Sequence, residues 1–340
     1  MRPTYEPTPS AECLPALERG WAHMVNVLFR PFQFEKWIVL GFCAWLTTLG
    51  NFGFAGRPFG SQYQQKPRAS FNEVVADWMP QAKAYFATNQ VWLIPLAVVA
   101  VLMVLALWGC ALWISSRSQF LFLDGVIQNR AAVTEPWKEF AAEGNSLFRC
   151  YLAALAILLA FLLVGLGLGF GIAQLDSAGA ISRGLTITVS VLSGLFGLGL
   201  IVAGLIAVVL FDAFVIPLMW LRRSSCLDAC QEFHALLNSD RMVFLRYLLL
   251  VFLIEIVTSL ALGAATLLTC CLLGIIQMIP LVGTVVLLPI PVFHRSFSLS
   301  LLAQFGPEYD AFTVAAPPQC SPPSDSPNPA PPDGGVTPAP

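Results

Sequence analysis

Charge is what this 340-residue chain has least of: Asp, Glu, Lys and Arg make up 11% of it, against about a quarter of a typical soluble chain. So little charge cannot clothe a water-facing surface. Hydrophobic residues reach 57% and the mean hydropathy is +0.73, so long stretches need a solvent other than water. A basic excess is missing too, because 18 Lys and Arg stand against 20 Asp and Glu, which disfavours nucleic acid as a partner. Histidine is sparse, with His23, His234 and His294 far apart, and there is no Gly-x-Ser-x-Gly, Walker loop or His-Glu-x-x-His. Neither catalysis nor a metal or other cofactor is expected. The nine Cys are scattered, five of them (Cys43, Cys110, Cys150, Cys270, Cys271) in or beside apolar runs, which argues against a disulfide framework. The first 36 residues carry Glu6, Glu12, Glu18 and Glu35 and no continuous apolar run, unlike a signal peptide. Insertion is expected to rely on the first span.

What is present is a series of uncharged windows. Trp37 to Gly56 lies between Lys36 and Arg57, and its 20 residues would cover about 30 Å as a helix. Val91–Ile114, with Trp92 and Trp113 near its ends, and Cys150–Leu175 read as spans two and three. Between Arg183 and Arg222 only Asp212 interrupts, which is too long for one span. The window Tyr247–His294 has 48 residues and one charge, Glu255, and fits two spans with a turn near Thr269, Gly274 or Pro280. The expected fold class is therefore an all-α polytopic membrane bundle of about six transmembrane helices. Counting basic residues with an inside N-terminus puts thirteen of the 18 inside, so both termini are expected to be cytoplasmic.

Three interfacial features accompany the spans. Leu14, Leu17, Trp21, Met24, Val25 and Leu28 form one helical stripe, as on a helix lying on the inner leaflet. Ser70-Phe-Asn-Glu73 has the form of a capping box opening a small outside helix that carries Phe71, Val74, Trp78 and Tyr85. Residues 317–340 contain ten Pro and no basic residue, so a disordered tail is expected. The chain divides into a cytoplasmic N-terminus (1–36), a membrane domain (37–306) and the tail (307–340). Within the membrane domain an internal repeat, about 91–175 and 186–294, is suggested because Glu139–Ser146 and Glu232–Ser239 share five of eight residues. That repeat puts Asp212 near the inner headgroups and makes 213–221 an interfacial entry to the next helix.

Two acids are the candidate functional residues. Glu255 lies nine positions past Arg246, about 13 Å into the membrane, where the charged form is disfavoured and a carboxyl can take part in proton transfer. The structural alternative is a protonated Glu hydrogen-bonded to a neighbour such as Gln277. Asp212 is the second candidate, weaker because it falls at the interface. Cys226, Cys230 and His234 follow at i, i+4 and i+8, but the first and third lie about 12 Å apart along a helix, so packing is the reading and no metal site is expected. Gly165, Gly167, Gly169 and Gly171, with Gly194, Gly197, Gly199 and Gly204, are expected to let spans three and four pack tightly.

The runs Leu28-Phe-Arg-Pro-Phe32, Lys36-Trp37 and Leu40-Gly-Phe-Cys-Ala-Trp-Leu46, with Leu287-Leu-Pro-Ile-Pro-Val-Phe293, Arg295-Ser-Phe297 and Gln304-Phe-Gly-Pro-Glu-Tyr309, carry a likeness. They resemble an uncharacterised group of polytopic bacterial membrane proteins, sometimes labelled like the membrane domain of glycerophosphoryl diester phosphodiesterases. The resemblance runs from about Leu14 to Tyr309. It implies a six-span protein of a bacterial inner membrane and brings no catalytic residues with it. The expected function is a non-catalytic structural, scaffold or accessory component, with the lipid bilayer and proteins at the cytoplasmic amphipathic helices as partners. The second expectation is a transporter or exporter of a small or lipid-like solute that uses Glu255.

Overall fold

The structure, a computed structural model, describes residues 12–50, 71–177, 182–269 and 272–314. These are helical, and no strand occurs among them. Helix α1 is Cys13–Phe29, α2 Phe34–Thr48, α3 Phe71–Ile127, α4 Thr134–Glu139, α5 Ala141–Ser177 and α6 Arg183–Leu210. A π-helical turn, Phe211–Val215, continues α6 into α7 (Ile216–Arg222). Then follow α8 (Cys226–Ser239), α9 (Arg241–Leu268), α10 (Leu272–Met278), α11 (Pro280–Val286) and α12 (Pro289–Leu302), with short turns of helix up to α13 (Ala311–Val314).

Four stretches are long and apolar enough to cross a membrane: Val91–Ile127, Ala141–Ile172, Gly184–Arg222 and Arg241–Leu268. Their backbone groups are satisfied within each helix, as a hydrocarbon solvent demands. Three of the four bury none of their most apolar window inside the protein. Side chains such as Leu162, Phe196, Leu198 and Leu253 are exposed. Lipid tails are as apolar as leucine, so the hydrophobic effect does not drive these surfaces together.

The core lies elsewhere. It gathers the C-terminal part of α3, the start of α5, the end of α6 with the π turn and α7, all of α8, and the start of α9. Successive spans alternate in direction, so these ends fall on one side of the four-helix set. They are also the ends that carry Arg117, Arg130, Lys138, Arg149, Arg222, Arg223, Arg241 and Arg246. Helices α1 and α12 close the layer. Phe214 is its centre, stacked on Phe233 at 5.6 Å and meeting Phe244 and Tyr247 edge-on at 5.1 and 4.8 Å. A second stack, Phe120 on Phe140 at 5.9 Å, continues to Trp220. Asn129 and Arg223, each with a left-handed backbone, end the helices that carry Phe120 and Phe214. In α8, Ser225 accepts from the Asp228 amide and donates to its carboxylate, a reciprocal N-cap.

Several expectations need correction. The glycines of α5 and α6 do not pair: a Cβ built on Gly165, Gly167, Gly169, Gly171, Gly194, Gly197, Gly199 or Gly204 meets nothing within 4 Å. Without a hydrophobic drive in lipid, small residues permit close approach but do not compel it. The window Tyr247–His294 is one long helix, α9, followed by three short ones, because Pro280 and Pro289 each start a new helix. Helix α2 ends at Thr48 and so covers residues 37–48 of the expected first span, whose residues from 51 on lie outside the described residues. The expected outside helix is no separate element, since Phe71 and Trp113 belong to the same helix α3. Segment 213–221 is core rather than interfacial surface, with Phe214, Ile216, Leu218 and Met219 fully buried. Helix α1 buries a second face as well: Cys13, Ala16, Gly20, Met24, Val27 and Leu28 pack against the protein, while Leu14 and Trp21 of the expected stripe are exposed. Residues 307–314 also fold onto the layer, because Ala311 is buried and Phe312 packs on His23. Gln64, Ser70, Cys270, Cys271 and the Pro-rich tail from 315 lie outside the described residues.

The buried face of α1 has a physical cause. Helix α1 crosses α12 so closely that a Cβ on Gly20 would stand 2.8 Å from the Phe297 Cα. Backbone cannot move aside as a side-chain tip can, so Gly20→Ala is expected to destabilise by about 1–3 kcal/mol. Gly165→Ala, with open space around it, is the control and should leave melting in detergent unchanged or slightly raised.

Candidate functional site

The first half of α12 carries His294 and Arg295 side by side, and each meets one of the two candidate acids. The Arg295 side chain is only 8% exposed and donates from Nη2 to Asp212 Oδ1 at 2.8 Å and to Gln119 Oε1 at 2.7 Å. Its Nη1 bonds the Asp212 carbonyl oxygen. Asp212 sits in the π turn, where the regular i→i−4 ladder is broken and a main-chain carbonyl can take a side-chain donor. One guanidinium therefore ties α12 to α3 and to the π turn. Burying a cation is costly unless it is paired and fully bonded, and this one is held by both acidic and amide oxygens.

His294 reaches the other acid: its Nε2 lies 3.5 Å from Glu255 Oε2, linking α12 to α9. Both side chains are partly enclosed, His294 at 11% exposure and Glu255 at 29%. At this distance the imidazole and the carboxyl are within ion-pair reach. Gln277, the partner considered for Glu255, has a buried Nε2 with no hydrogen bond among the described residues. Glu255 and Asp212 are 43 positions apart, yet consecutive residues of one helix meet them.

Reasoning from sequence missed His294, Arg295 and Gln119. A signal was there: an adjacent His-Arg pair at the end of an otherwise uncharged window must find anions, and only two isolated acids lie in the apolar stretches. What sequence could not supply is the fold-back of α12 onto the π turn.

Charge also fastens the layer beneath. Arg130 reaches Asp124 at 3.0 Å and Glu135 at 3.2 Å, Arg223 bonds Glu139, and Arg222 bonds Glu232 at 3.1 Å. Thus Glu139 and Glu232, the matched acids of the two similar segments, both pair with arginine. The segments are placed differently, since the first straddles the break between α4 and α5 and the second lies inside α8. His234 bonds Asn238 rather than joining Cys226 and Cys230, and no group of three metal-ligating side chains occurs among the described residues.

On α1, His23 Nε2 bonds the Val126 carbonyl at 2.9 Å. Burial lowers the His23 pKa and the Lys36 charge lowers it further, against the opposing effect of the Val126 bond. A histidine depressed in the folded state binds its proton more readily when unfolded, so it lends stability above the unfolded pKa, about 6.5, and withdraws it as pH falls. Melting temperature should therefore drop as pH falls below about 6.5, and His23→Gln should flatten that part of the profile. An unchanged slope in the variant would contradict this assignment.

The chain belongs to DUF7544, a family of unknown function, whose model matches residues 13–288. The match runs from α1 through α11, and His294 and Arg295 lie just beyond it. No curated protein and no solved structure matches the chain.

Proposed function

We propose that this member of a family of unknown function is a non-catalytic integral membrane component, a scaffold or accessory subunit of a bacterial inner membrane. One observation carries the reading: the larger buried cluster is gathered at the basic ends of four long helices, three of which bury none of their most apolar window, and a second, smaller cluster joins α2 to α1, α3 and α12. Such a layer is built to present a rigid surface, whereas a solute pathway would need the spans themselves to enclose a route. Orientation follows from charge. Basic residues favour the cytoplasmic face, which places the layer and both termini inside. Helix α2 and the broken series α10 to α12 supply the first and last of six passages. The exposed Leu14 and Trp21 of α1 rest at the inner headgroups. The two similar segments mark an internal repeat. The likeness to phosphodiesterase membrane domains extends to the membrane portion and brings no hydrolytic residues.

The docking surface is the outer face of α4, the start of α5, and α8, where Lys138, Asn145, Leu227 and Gln231 are exposed. The test is chemical crosslinking in membranes, comparing wild type with a Lys138→Glu, Leu227→Asp, Gln231→Glu variant. Partners lost from a variant that melts normally support the reading, and an identical partner set contradicts it.

A second reading, an exporter of a small or lipid-like solute, is favoured by the Glu255–His294 pair beside helix breaks at Pro280 and Pro289. Proton release from proteoliposomes that depends on Glu255 and is lost in Glu255→Gln would move the account to this reading.

A further inference from the structure

Three of the nine cysteines converge where α5 meets α8. Cys226 opens α8 and is buried, and its amide donates to Ser146 Oγ at 3.0 Å, which fixes the register of the two helices. Ser146 and Cys150 are one turn apart on α5, so Cys150 lies next to that contact on the same face. The Cys226 thiol is within hydrogen-bond reach of both Cys150 and Cys230, which are half-buried. None of the three has a role in the Arg295 or His294 contacts.

Geometry separates the two pairings. Cys226 and Cys230 are four apart on one helix, where Cβ atoms stand about 5–6 Å apart, while a disulfide needs about 3.5–4.5 Å. Closing that pair would distort α8. Cys150 approaches from another helix and has no such constraint. Chemistry separates the roles as well. The hydrogen bond to Cys150, and then burial, push the Cys226 thiol up, so Cys226 keeps its proton and Cys150 is the partly accessible nucleophile.

We propose that Cys150 and Cys226 are an oxidant-responsive dithiol that a hydroperoxide converts to a disulfide joining α5 to α8. The Cys150 thiolate attacks the peroxide, the O–O bond breaks, and its sulfur becomes a sulfenic acid while an alcohol, or water from hydrogen peroxide, leaves. The Cys226 sulfur then attacks the sulfenic sulfur. The S–S bond forms, the S–O bond breaks, and the departing hydroxide takes up the Cys226 proton as water. Two electrons pass from the two thiols to the peroxide. The product staples together residues 76 positions apart and fixes the two similar segments to each other. On the cytoplasmic side thiols are kept reduced, so the link would be transient. The inference is independent of the scaffold reading and stands or falls on the cysteines alone.

The test treats the full-length protein in nanodiscs with graded hydrogen peroxide, blocks the remaining thiols, and maps non-reduced peptides by mass spectrometry. A Cys150–Cys226 linked peptide is expected in wild type and in Cys230→Ser, reversed by dithiothreitol and absent from Cys150→Ser. In Cys226→Ser, which has no resolving thiol, dimedone should capture a sulfenic acid at Cys150. A Cys226–Cys230 link, or dimedone capture at Cys230 or Cys110 ahead of Cys150, would overturn the proposal. So would the absence of any linked peptide.

Discussion

Replacing Arg295 with Ala is expected to destabilise the protein by about 3 kcal/mol, toward the lower end of what breaking a buried ion pair costs. Three losses combine. Gln119, itself buried, loses the donor to its side-chain oxygen, the Asp212 carbonyl loses its extra donor, and α12 loses its hydrogen-bonded link to the π turn. The remaining carboxylate limits the damage, because Asp212 is 47% exposed and can be hydrated once its partner has gone. Arg295→Met, which keeps much of the aliphatic volume, should recover little, since the defect is polar. Asp212→Asn should cost only about 1 kcal/mol, because an amide oxygen still accepts from the guanidinium. Denaturation in mixed detergent micelles would read the series. Equal losses in Arg295→Met and Asp212→Asn would mean that the salt bridge carries the energy and the amide and carbonyl contacts do not.

The second large effect is at Phe214. Its ring is fully buried and touches three other rings, and those rings come from α8 and α9, so it joins the π turn to both neighbours. Phe214→Ala removes that volume where stacked rings cannot collapse, and about 3–5 kcal/mol is expected. Phe214→Leu keeps most of the burial and should cost about 1–1.5 kcal/mol. Melting in nanodiscs checks both. A loss of less than 1 kcal/mol for Phe214→Ala would place the centre of the core elsewhere.

Membrane character and helical class were legible because they rest on composition and on uncharged runs, and lipid leaves helices as the solution for such runs. Where packing began was not legible. Periodicity marks a stripe with Leu14 and Trp21 as a membrane-facing side of α1, but it does not show that α1 presents Ala16 and Gly20 to α12, a crossing that only small residues allow. The glycines of α5 and α6 look like a packing seam, yet nothing approaches them, because spacing records permission rather than contact. Of the site, both acids were legible as isolated charges in apolar windows. Their partners were not, because His294 and Arg295 come to Glu255 and Asp212 only through the break at Pro289 and the fold-back of α12. The matched acids Glu139 and Glu232 were visible as similarity, but their arginine partners come from different positions, so pairing could not be read from the alignment of the two segments.

The central claim is that the energy of the fold resides in the layer at the basic ends and not in contacts among the apolar middles of the four long helices. Its most direct test is one alanine series measured by a single unfolding assay in nanodiscs. Leu147 and Leu299 are fully buried in the layer, whereas Leu162, Leu198 and Leu253 lie exposed on three different spans. Alanine at the first two positions should each cost about 2–5 kcal/mol, and at the other three each should stay within about 0.5 kcal/mol. Losses at Leu162, Leu198 and Leu253 as large as those at Leu147 and Leu299 would show that the spans pack against one another and would contradict the account.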